Sequence, residues 1–366
     1  MTDDQRVVVV GAGIAGASAA FGLARRGVRP IVIDDGATGQ ATAASAGIIQ
    51  PWSTAAVGPY YQLYADGAAF YPELLQALAD AGVTKTDYRR TGGLVVNADP
   101  ALLAETEQRV RDRLRTAGEV VGTVERIDNA AARELFPPLA PGLEAVFISG
   151  GGRVDGRTLR DALLDAAVRM GAQRPTGHAE VDHDGGRPMI MVDGAPVGAD
   201  AVVLAAGAWT NTVLTKIGIT VPVAAQKGQI THLRVDADTT NWPTVHPISH
   251  HYLVAFDDSR IAVGATRETG SGFDTRVTAA GQLQVLQDAL SVAPGLADAT
   301  LIETRVGLRP LADDLPIAGA VPGCNGLYVA TGYGAGGLTM GPMIGDAIAR
   351  RLLGEAAPEL AAVTPR

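Results

Sequence analysis

Arg6-Val7-Val8-Val9-Val10-Gly11-Ala12-Gly13-Ile14-Ala15-Gly16, with the helix-like run 17–27 and then Pro30-Ile31-Val32-Ile33-Asp34-Asp35, is the stretch that decides the fold. Four consecutive valines read as a short strand buried on both faces. The run 17–27 is rich in alanine and ends at a glycine, and 30–33 reads as a second strand. The result is a βαβ unit with Gly-x-Gly-x-x-Gly at the strand-to-helix turn and an acid 23 positions after the first glycine. Gly11 permits the tight turn, Gly13 lets a pyrophosphate approach the backbone, and Gly16 lets helix and strand pack closely. The helix N-terminus offers N–H groups and a positive dipole end to phosphates, and Asp34 can accept from a ribose diol. The motif predicts a dinucleotide site without saying which dinucleotide.

Bulk properties narrow the classes. A chain of 366 residues predicts two domains, interleaved or consecutive. A hydrophobic content of 47% with 45 glycines suits an α/β protein with many tight turns. The net charge of −9, with no basic cluster, argues against a nucleic-acid partner. The first strand begins at residue 6, which leaves no room for a signal peptide, and no apolar run reaches the ~18–20 residues needed for a transmembrane segment. The expectation is a cytoplasmic protein, with peripheral membrane contact left open. The single cysteine, Cys324, rules out an internal disulfide and a cysteine metal cluster.

Along the chain, 36–50 is small and polar, too long for a simple turn, and suited to passing close to an extended ligand. The periodicity of Phe70, Leu74, Leu75 and Leu78 predicts one amphipathic helix over 66–81. A strand over 91–97 precedes a charged helix over 100–117, whose Arg109, Arg111, Arg113 and Arg115 read as a solvated face. A short helix ends before Pro137, 150–155 reads as a loop, 158–170 as a helix, and Val181 falls in a strand. Residues 198–209 form a strand running into a small-residue turn. From Pro222 the texture changes: 230–235, 252–256 and 260–265 are short strands of an antiparallel sheet. A helix over 278–292 follows. The strand 326–331, the glycine turn 332–337 and the helix 338–353 return to the first texture. Three strand-then-glycine turns, near residues 10, 206 and 331, fit one domain assembled from separated pieces. In the last, unpaired N–H groups at the helix N-terminus suit negative charge. His250 and His251 point apart in a strand and have no third ligand, so no metal site is predicted.

Across nearly its whole length the chain resembles the flavin-dependent D-amino acid oxidase and glycine oxidase family. The resemblance is carried by GAGIAG with Asp34, ASAGI at 44–48, GGRVDGRTL at 151–159, VVLAAGAW at 202–209, KGQ at 227–229, HYLV at 251–254, VGAT at 263–266, GLRPLADDLPIAG at 307–319 and VATGYGAGGLTMGP at 329–342. It implies an α/β fold: a Rossmann-like FAD-binding domain of the glutathione-reductase type, interleaved with an antiparallel-sheet α+β substrate domain. The expected FAD-binding pieces are 1–86, 150–221 and 303–366, and the substrate domain 87–149 and 222–302. Gly11, Ala12, Gly13, Ile14, Ala15, Gly16, Asp34 and Asp35 would hold the ADP half. Ala44, Ser45, Ala46 and Gly47 would run along pyrophosphate and flavin. Val181 would meet adenine through its backbone, and Ala206, Gly207 and Trp209 would sit beside the nucleotide. Gly334, Ala335, Gly336, Gly337, Leu338 and Thr339 would approach the flavin pyrimidine edge.

Arg309 matches the family arginine that binds the substrate carboxylate as a bidentate fork, beside the flavin. Tyr252 matches a tyrosine that helps hold it. The implied reaction is oxidation of the α-carbon–nitrogen bond of a small amino acid, a D-amino acid or glycine, by hydride transfer to flavin N5, giving an imino acid that hydrolyses to keto acid and ammonia. No side-chain base is assigned. Relatives acting on N-methyl amino acids often hold flavin through a cysteine near the Arg309 position; none is present there, so FAD is expected to be non-covalent. The terminal loop offers no second basic residue. Trp52, Tyr60, Tyr61 and Arg267 are candidates for choosing the side chain. The sequence leaves open oxygen or a quinone or carrier as electron acceptor, sarcosine- or proline-like secondary amines as substrates, a homo-oligomer, and a flavin-binding subunit with little chemistry of its own. An NAD-dependent dehydrogenase is the remaining rival, and it has no use for the terminal glycine turn.

Overall fold

A computed structural model describes residues 6–184 and 187–365; the outermost ends of the expected domain limits, residues 1–5 and 366, lie outside the described residues. Among those residues a five-stranded sheet runs in the order Ile317–Ala320, Leu327–Thr331, Ala201–Leu204, Val7–Val10, Ile31–Ile33. All neighbours are parallel except Ile317–Ala320, which returns antiparallel on Leu327–Thr331. The valine run is buried on both faces for a simple reason. Val7 and Val9 join the core on the helical side, and Val8 and Val10 join a second core on the other. The helical layer is Ile14–Ala24, Gly156–Arg169 and Gly337–Leu352. The opposite layer includes the antiparallel meander Ala179–Asp184, Arg187–Val192, Ala195–Val197, whose Val181 and Ile190 pack against Val8 and Val202.

Among the described residues the second sheet has nine strands, mostly antiparallel, as the texture after Pro222 predicts. Two long strands, Ala224–Arg234 and Thr300–Leu311, pair along nearly their full length. One pair is parallel, Thr244–Pro247 beside Gly93–Asn97. A helix over Ala279–Val292, capped by Thr278, closes its core.

Four local expectations change. The helix over 66–81 is two helices, Gly58–Ala69 and Tyr71–Asp80, joined at Phe70; Pro72 starts the second because it lacks the N–H that would continue the first. The strand Thr300–Leu311 crosses the expected boundary at 303, because it pairs with Ala224–Arg234 on both sides of that position, through a register shift opposite His232 and Leu233. The stretch 36–50 holds a short helix, Ala41–Ala44, and the strand Ile48–Ile49, which pairs with Gly152–Arg153 inside the expected loop. Arg113 is not part of a solvated face: it is buried, donates to the carbonyls of Trp52, Thr54 and Ala56 at 2.6–2.7 Å, and lies 3.7 Å over the Tyr61 ring. Its neighbours Arg111 and Arg115 are exposed and pair with Glu107 and Asp112 on their own helix. No helix among the described residues is long and apolar enough to cross a membrane.

The second sheet is tied to the segment that follows Asp34. Leu308 N donates to Gly39 O at 2.8 Å, and Gly307 leaves just enough room for Ala44, whose Cβ lies 2.9 Å from where a Cβ at 307 would stand. The end of Thr300–Leu311 is therefore fixed against the segment that follows Asp34.

Candidate functional site

A cavity of about 780 Å³ follows the C-terminal ends of the parallel strands, past Val10, Ile33, Ala205 and Ala330, and ends against the second sheet. This is where an open α/β sheet places its ligand. All three strand-then-glycine turns reach it.

At the first turn the backbone is forced into contact with itself. Gly11 has φ +97°, and a Cβ there would stand 2.4 Å from Ala205 O; one at Gly16 would stand 1.9 Å from Gly11 O. A Cβ at Gly13 would meet only Thr42 Oγ1 at 3.5 Å, so the space in front of it is open. Gly11, Gly13, Ile14 and Ala15 line the cavity, whereas Gly16 packs behind and Ala12 faces a neighbouring cavity. Asp34 lines it and also locks the turn. Its carboxylate accepts from Ala12 N at 2.7 Å, Gly36 N at 2.8 Å and Gln40 Nε2 at 3.0 Å. Asp35 lies on the wall with its carboxylate 3.1 Å from His178 Nδ1. Val181 does not reach the cavity. It is fully buried in the core beneath, and Gly177, His178 and Ala179 form the wall there.

Midway, Ala44, Ser45, Ala46 and Gly47 form one wall, and Ala206, Gly207 and Trp209 another. Trp209 stacks on Phe273 with centroids 5.7 Å apart, and Gly207 O accepts from Thr331 Oγ1 and Thr210 Oγ1. Gly334, Ala335, Gly336, Gly337 and Leu338 line the last turn, at the uncapped N-terminus of Gly337–Leu352; Thr339 lies behind it, donating to Ile48 O at 3.2 Å. Tyr333 lines the same turn, and its buried hydroxyl has no hydrogen-bond partner among the described residues.

At the far end Arg309 lies across the strand Ala224–Arg234. Its Nη1 donates to Thr266 O at 3.1 Å and Gln226 Oε1 at 3.4 Å. A Cβ at Gly228 would stand 2.5 Å from its Nη2, so glycine at 228 is what lets the guanidinium lie there. Tyr252 lines the cavity beside it. Burial pushes the Tyr252 phenol above its ordinary value, against the opposing pull of Arg309, so the hydroxyl stays a neutral donor. Tyr60, Tyr64 and Arg267 complete this end with His246, whose Nε2 is 2.8 Å from Thr244 Oγ1. Burial drives the His246 imidazole down to about 4, so it is neutral near pH 7. Of the four side-chain-selecting candidates, Tyr60 and Arg267 line the cavity. Trp52 is buried in the core and Tyr61 sits under Arg113. Gln226, Gly228, Thr266, Tyr64, His246 and Tyr333 are not singled out by the sequence; the KGQ, VGAT and GYG runs that hold Gly228, Thr266 and Tyr333 carry the signal that could find three of them. Among the described residues no group of His, Cys, Asp and Glu could hold a metal ion.

Comparison with known proteins places this geometry. A family model described as FAD dependent oxidoreductase (DAO) matches residues 6–351. The uncharacterized oxidoreductase YurR of Bacillus subtilis (strain 168) is 46% identical over 353 residues, 95% of each chain. The glycine oxidase of Geobacillus kaustophilus (strain HTA426) is 30% identical over 361 residues, 95% of this chain and 93% of the other. Among solved structures, iminodiacetate oxidase (IdaA) from Chelativorans sp. BNC1 is 46% identical and superposes with a TM-score of 0.95 over 98% of this chain and 99% of the other.

Proposed function

Because this chain belongs to the DAO family of FAD-dependent oxidoreductases, we propose that it oxidises the carbon–nitrogen bond next to the carboxylate of a small amino acid or secondary amine, giving an imine that water hydrolyses. The observation that carries the reading is Arg309. It is a cavity-lining guanidinium held by two uncharged acceptors, with no acid within ion-pairing distance among the described residues, which leaves its charge for a ligand.

The cavity fits FAD. It is long, follows the strand ends from Asp34 to the second sheet, is open in front of Gly13, and passes the unpartnered hydroxyl of Tyr333. Gly11, Gly13, Ile14, Ala15, Asp34 and Asp35 would hold the nucleotide end, with Ala44–Gly47 (residues 44–47), Ala206, Gly207 and Trp209 along the middle and 334–338 at the last turn. When bound, FAD supplies the two-electron acceptor. Cys324 is buried under the central sheet and does not line the cavity, which supports a non-covalently held cofactor.

The chain's own residues bind and orient. Arg309 receives the carboxylate as a fork, which fixes the plane of the α-carbon, and Tyr252 donates to the same group. The positive charge of Arg309 disfavours a protonated substrate amine nearby, so the amine is held as the neutral base needed for oxidation. Tyr60 and Tyr64 wall the site from the helix Gly58–Ala69, their rings 6.0 Å apart, and limit water. No base is needed from His246.

A secondary amine is the better-supported substrate, since the iminodiacetate oxidase is 46% identical and the glycine oxidase of G. kaustophilus 30%. A purely flavin-carrying subunit would have no use for Arg309 and Tyr252 facing the cavity. The test is anaerobic mixing with glycine, D-alanine, sarcosine and iminodiacetate, following loss of the flavin absorbance. At least one should bleach the flavin, and Arg309→Ala should lower kcat/KM for it by about 30- to 1,000-fold while FAD stays bound. Unchanged kinetics in Arg309→Ala would remove the assignment.

A further inference from the structure

The substrate end of the cavity holds more positive charge than one carboxylate requires. Arg309 grips the carbonyl of Thr266 at 3.1 Å, and the residue directly after that carbonyl is Arg267. The sheet register brings the same segments together. Gln226 faces Arg309 on one side and Thr269 on the other, so the segment carrying Arg267 runs past the strand that carries Arg309. Both guanidiniums line one cavity, with Tyr252 and Tyr60 in its wall.

The charges around Arg267 are one-sided. Burial and then the Arg309 charge hold its guanidinium below the ordinary value, opposed by the phenols of Tyr252 and Tyr60. The nearest acid in sequence, Glu268, is turned away. It accepts from Thr266 Oγ1 at 2.6 Å and Gln229 Nε2 at 2.7 Å and lies 3.6 Å from the buried Lys227. The acids lining the cavity are Asp34 and Asp35 at the nucleotide end and the exposed Asp313 and Asp314 in the loop after Leu311. Among the described residues none of these forms an ion pair with Arg267 or Arg309. Two like charges in one cavity repel, and an arrangement of this kind is stabilised by a ligand that neutralises both. Arg109 also reaches the wall, but it belongs to another element, donates to Thr106 Oγ1 at 3.0 Å, and is not among the charges that act on Arg267. Arg267 is the more exposed of the pair, so its ligand group would sit nearer the mouth than the one on Arg309.

We propose that Arg267 is a second carboxylate-binding residue and that the substrate is an amine bearing two carboxylates, one held by Arg309 with Tyr252 and the other by Arg267. This rests on the reading of Arg309 given above. It goes further in making the enzyme selective for a dianion over glycine, D-alanine or sarcosine, each of which leaves Arg267 unneutralised. A charge-assisted contact of this kind gives roughly a tenfold to hundredfold preference.

The test separates binding from turnover. Oxydiacetate, which carries two carboxylates but has no amine to oxidise, is titrated calorimetrically into the FAD-loaded protein beside methoxyacetate, its one-carboxylate counterpart. Oxydiacetate should bind about 30-fold or more tightly than methoxyacetate. Arg267→Ala should erase that difference while leaving methoxyacetate binding within about threefold, and Arg267→Lys should restore part of it. In parallel, iminodiacetate and D-aspartate are compared with sarcosine and glycine for flavin bleaching; whichever diacid wins shows whether the second carboxylate hangs from nitrogen or from the side chain. Equal affinity for the two ethers, or a preference that survives Arg267→Ala, would overturn the proposal. An Arg267-dependent preference for oxydiacetate with no bleaching by any amine would uphold the dianion site and remove the amine-oxidation reading instead.

Discussion

The two ends of the cavity are made differently. The nucleotide end is built from backbone: three glycines within six residues, a helix start, and one carboxylate that locks the turn. The substrate end is built from side chains brought together by strand pairing. Arg309 and the Gln226 that orients it are 83 residues apart, and Thr266 and Tyr252 come from two further segments. A site made of backbone depends on what is missing, namely Cβ atoms. A site made of side chains depends on register. The two should therefore fail separately, and the sharpest way to break the comparison is to add one methyl group to each.

The largest effect is expected at Gly16. A Cβ there would stand 1.9 Å from Gly11 O, a backbone atom that cannot swing aside. Gly16→Ala must push the helix Ile14–Ala24 off the turn, at a cost of about 3 kcal/mol or more by the usual range for overpacking. The expected outcome is protein with little bound flavin, read from the ratio of visible to ultraviolet absorbance, and a lowered thermal midpoint. Full flavin occupancy would show that the nucleotide end tolerates a shifted helix.

The matching change at the other end is Gly228→Ala. Its Cβ would meet the Arg309 guanidinium at 2.5–2.6 Å, but that is the tip of a flexible side chain. The arginine should move, keeping the fold and the flavin while the carboxylate loses its fork. KM should rise by roughly 10- to 100-fold with FAD content unchanged. If Gly228→Ala also emptied the cavity of FAD, the two ends would be one mechanical unit, coupled through the contact of Leu308 with Gly39, and the contrast drawn above would fall.

This contrast also sets what could be read from the residues. The valine strand, the glycine turn and Asp34 are local, so a few positions of sequence contain their whole geometry. The same holds for the helix Pro100–Ala117, whose bounds the pattern predicts to the residue. Arg113 is the counter-example. In a run of alternating arginines nothing local marks it as the one whose guanidinium collects three carbonyls from 52–56. Val181 and Tyr61 fail for a related reason: a residue can be in the right element and face away from the cavity. Tyr60 and Tyr61 are neighbours, and only the helical phase of Gly58–Ala69 sends one to the cavity and the other beneath Arg113. The break at Phe70, by contrast, was readable from Pro72, which the apolar periodicity of the segment masks. The boundary expected at 303 falls inside a strand, because pairing with a distant segment, which no local pattern shows, runs from Thr300 to Leu311.

The smallest expected effect tests the side-chain end through pH. His246 lies half-buried in its wall, with an imidazole held at about 4, and His232 within the same sheet is held at about 3 by burial and then by Arg305 and Arg260. Both values lie below the ~6.5 of an unfolded chain, so the folded state binds fewer protons. The stability they contribute is complete above pH ~6.5 and is lost as pH falls toward 4 and then 3, because the unfolded chain takes up protons that the folded one refuses. For His246 the loss is at most about 3 kcal/mol. Thermal midpoints measured from pH 7.5 to 4.5 should fall in the wild type, and less steeply in His246→Asn, which keeps a polar group near Thr244 Oγ1 but does not titrate in this range. Among the described residues the nucleotide end has no imidazole held down in this way, and His178 in its wall is exposed beside Asp35. Flavin occupancy should therefore hold over the part of this range in which stability declines only gradually. Identical slopes for the two proteins would mean that His246 is hydrated in the folded state, and that the substrate end is wetter than its burial implies.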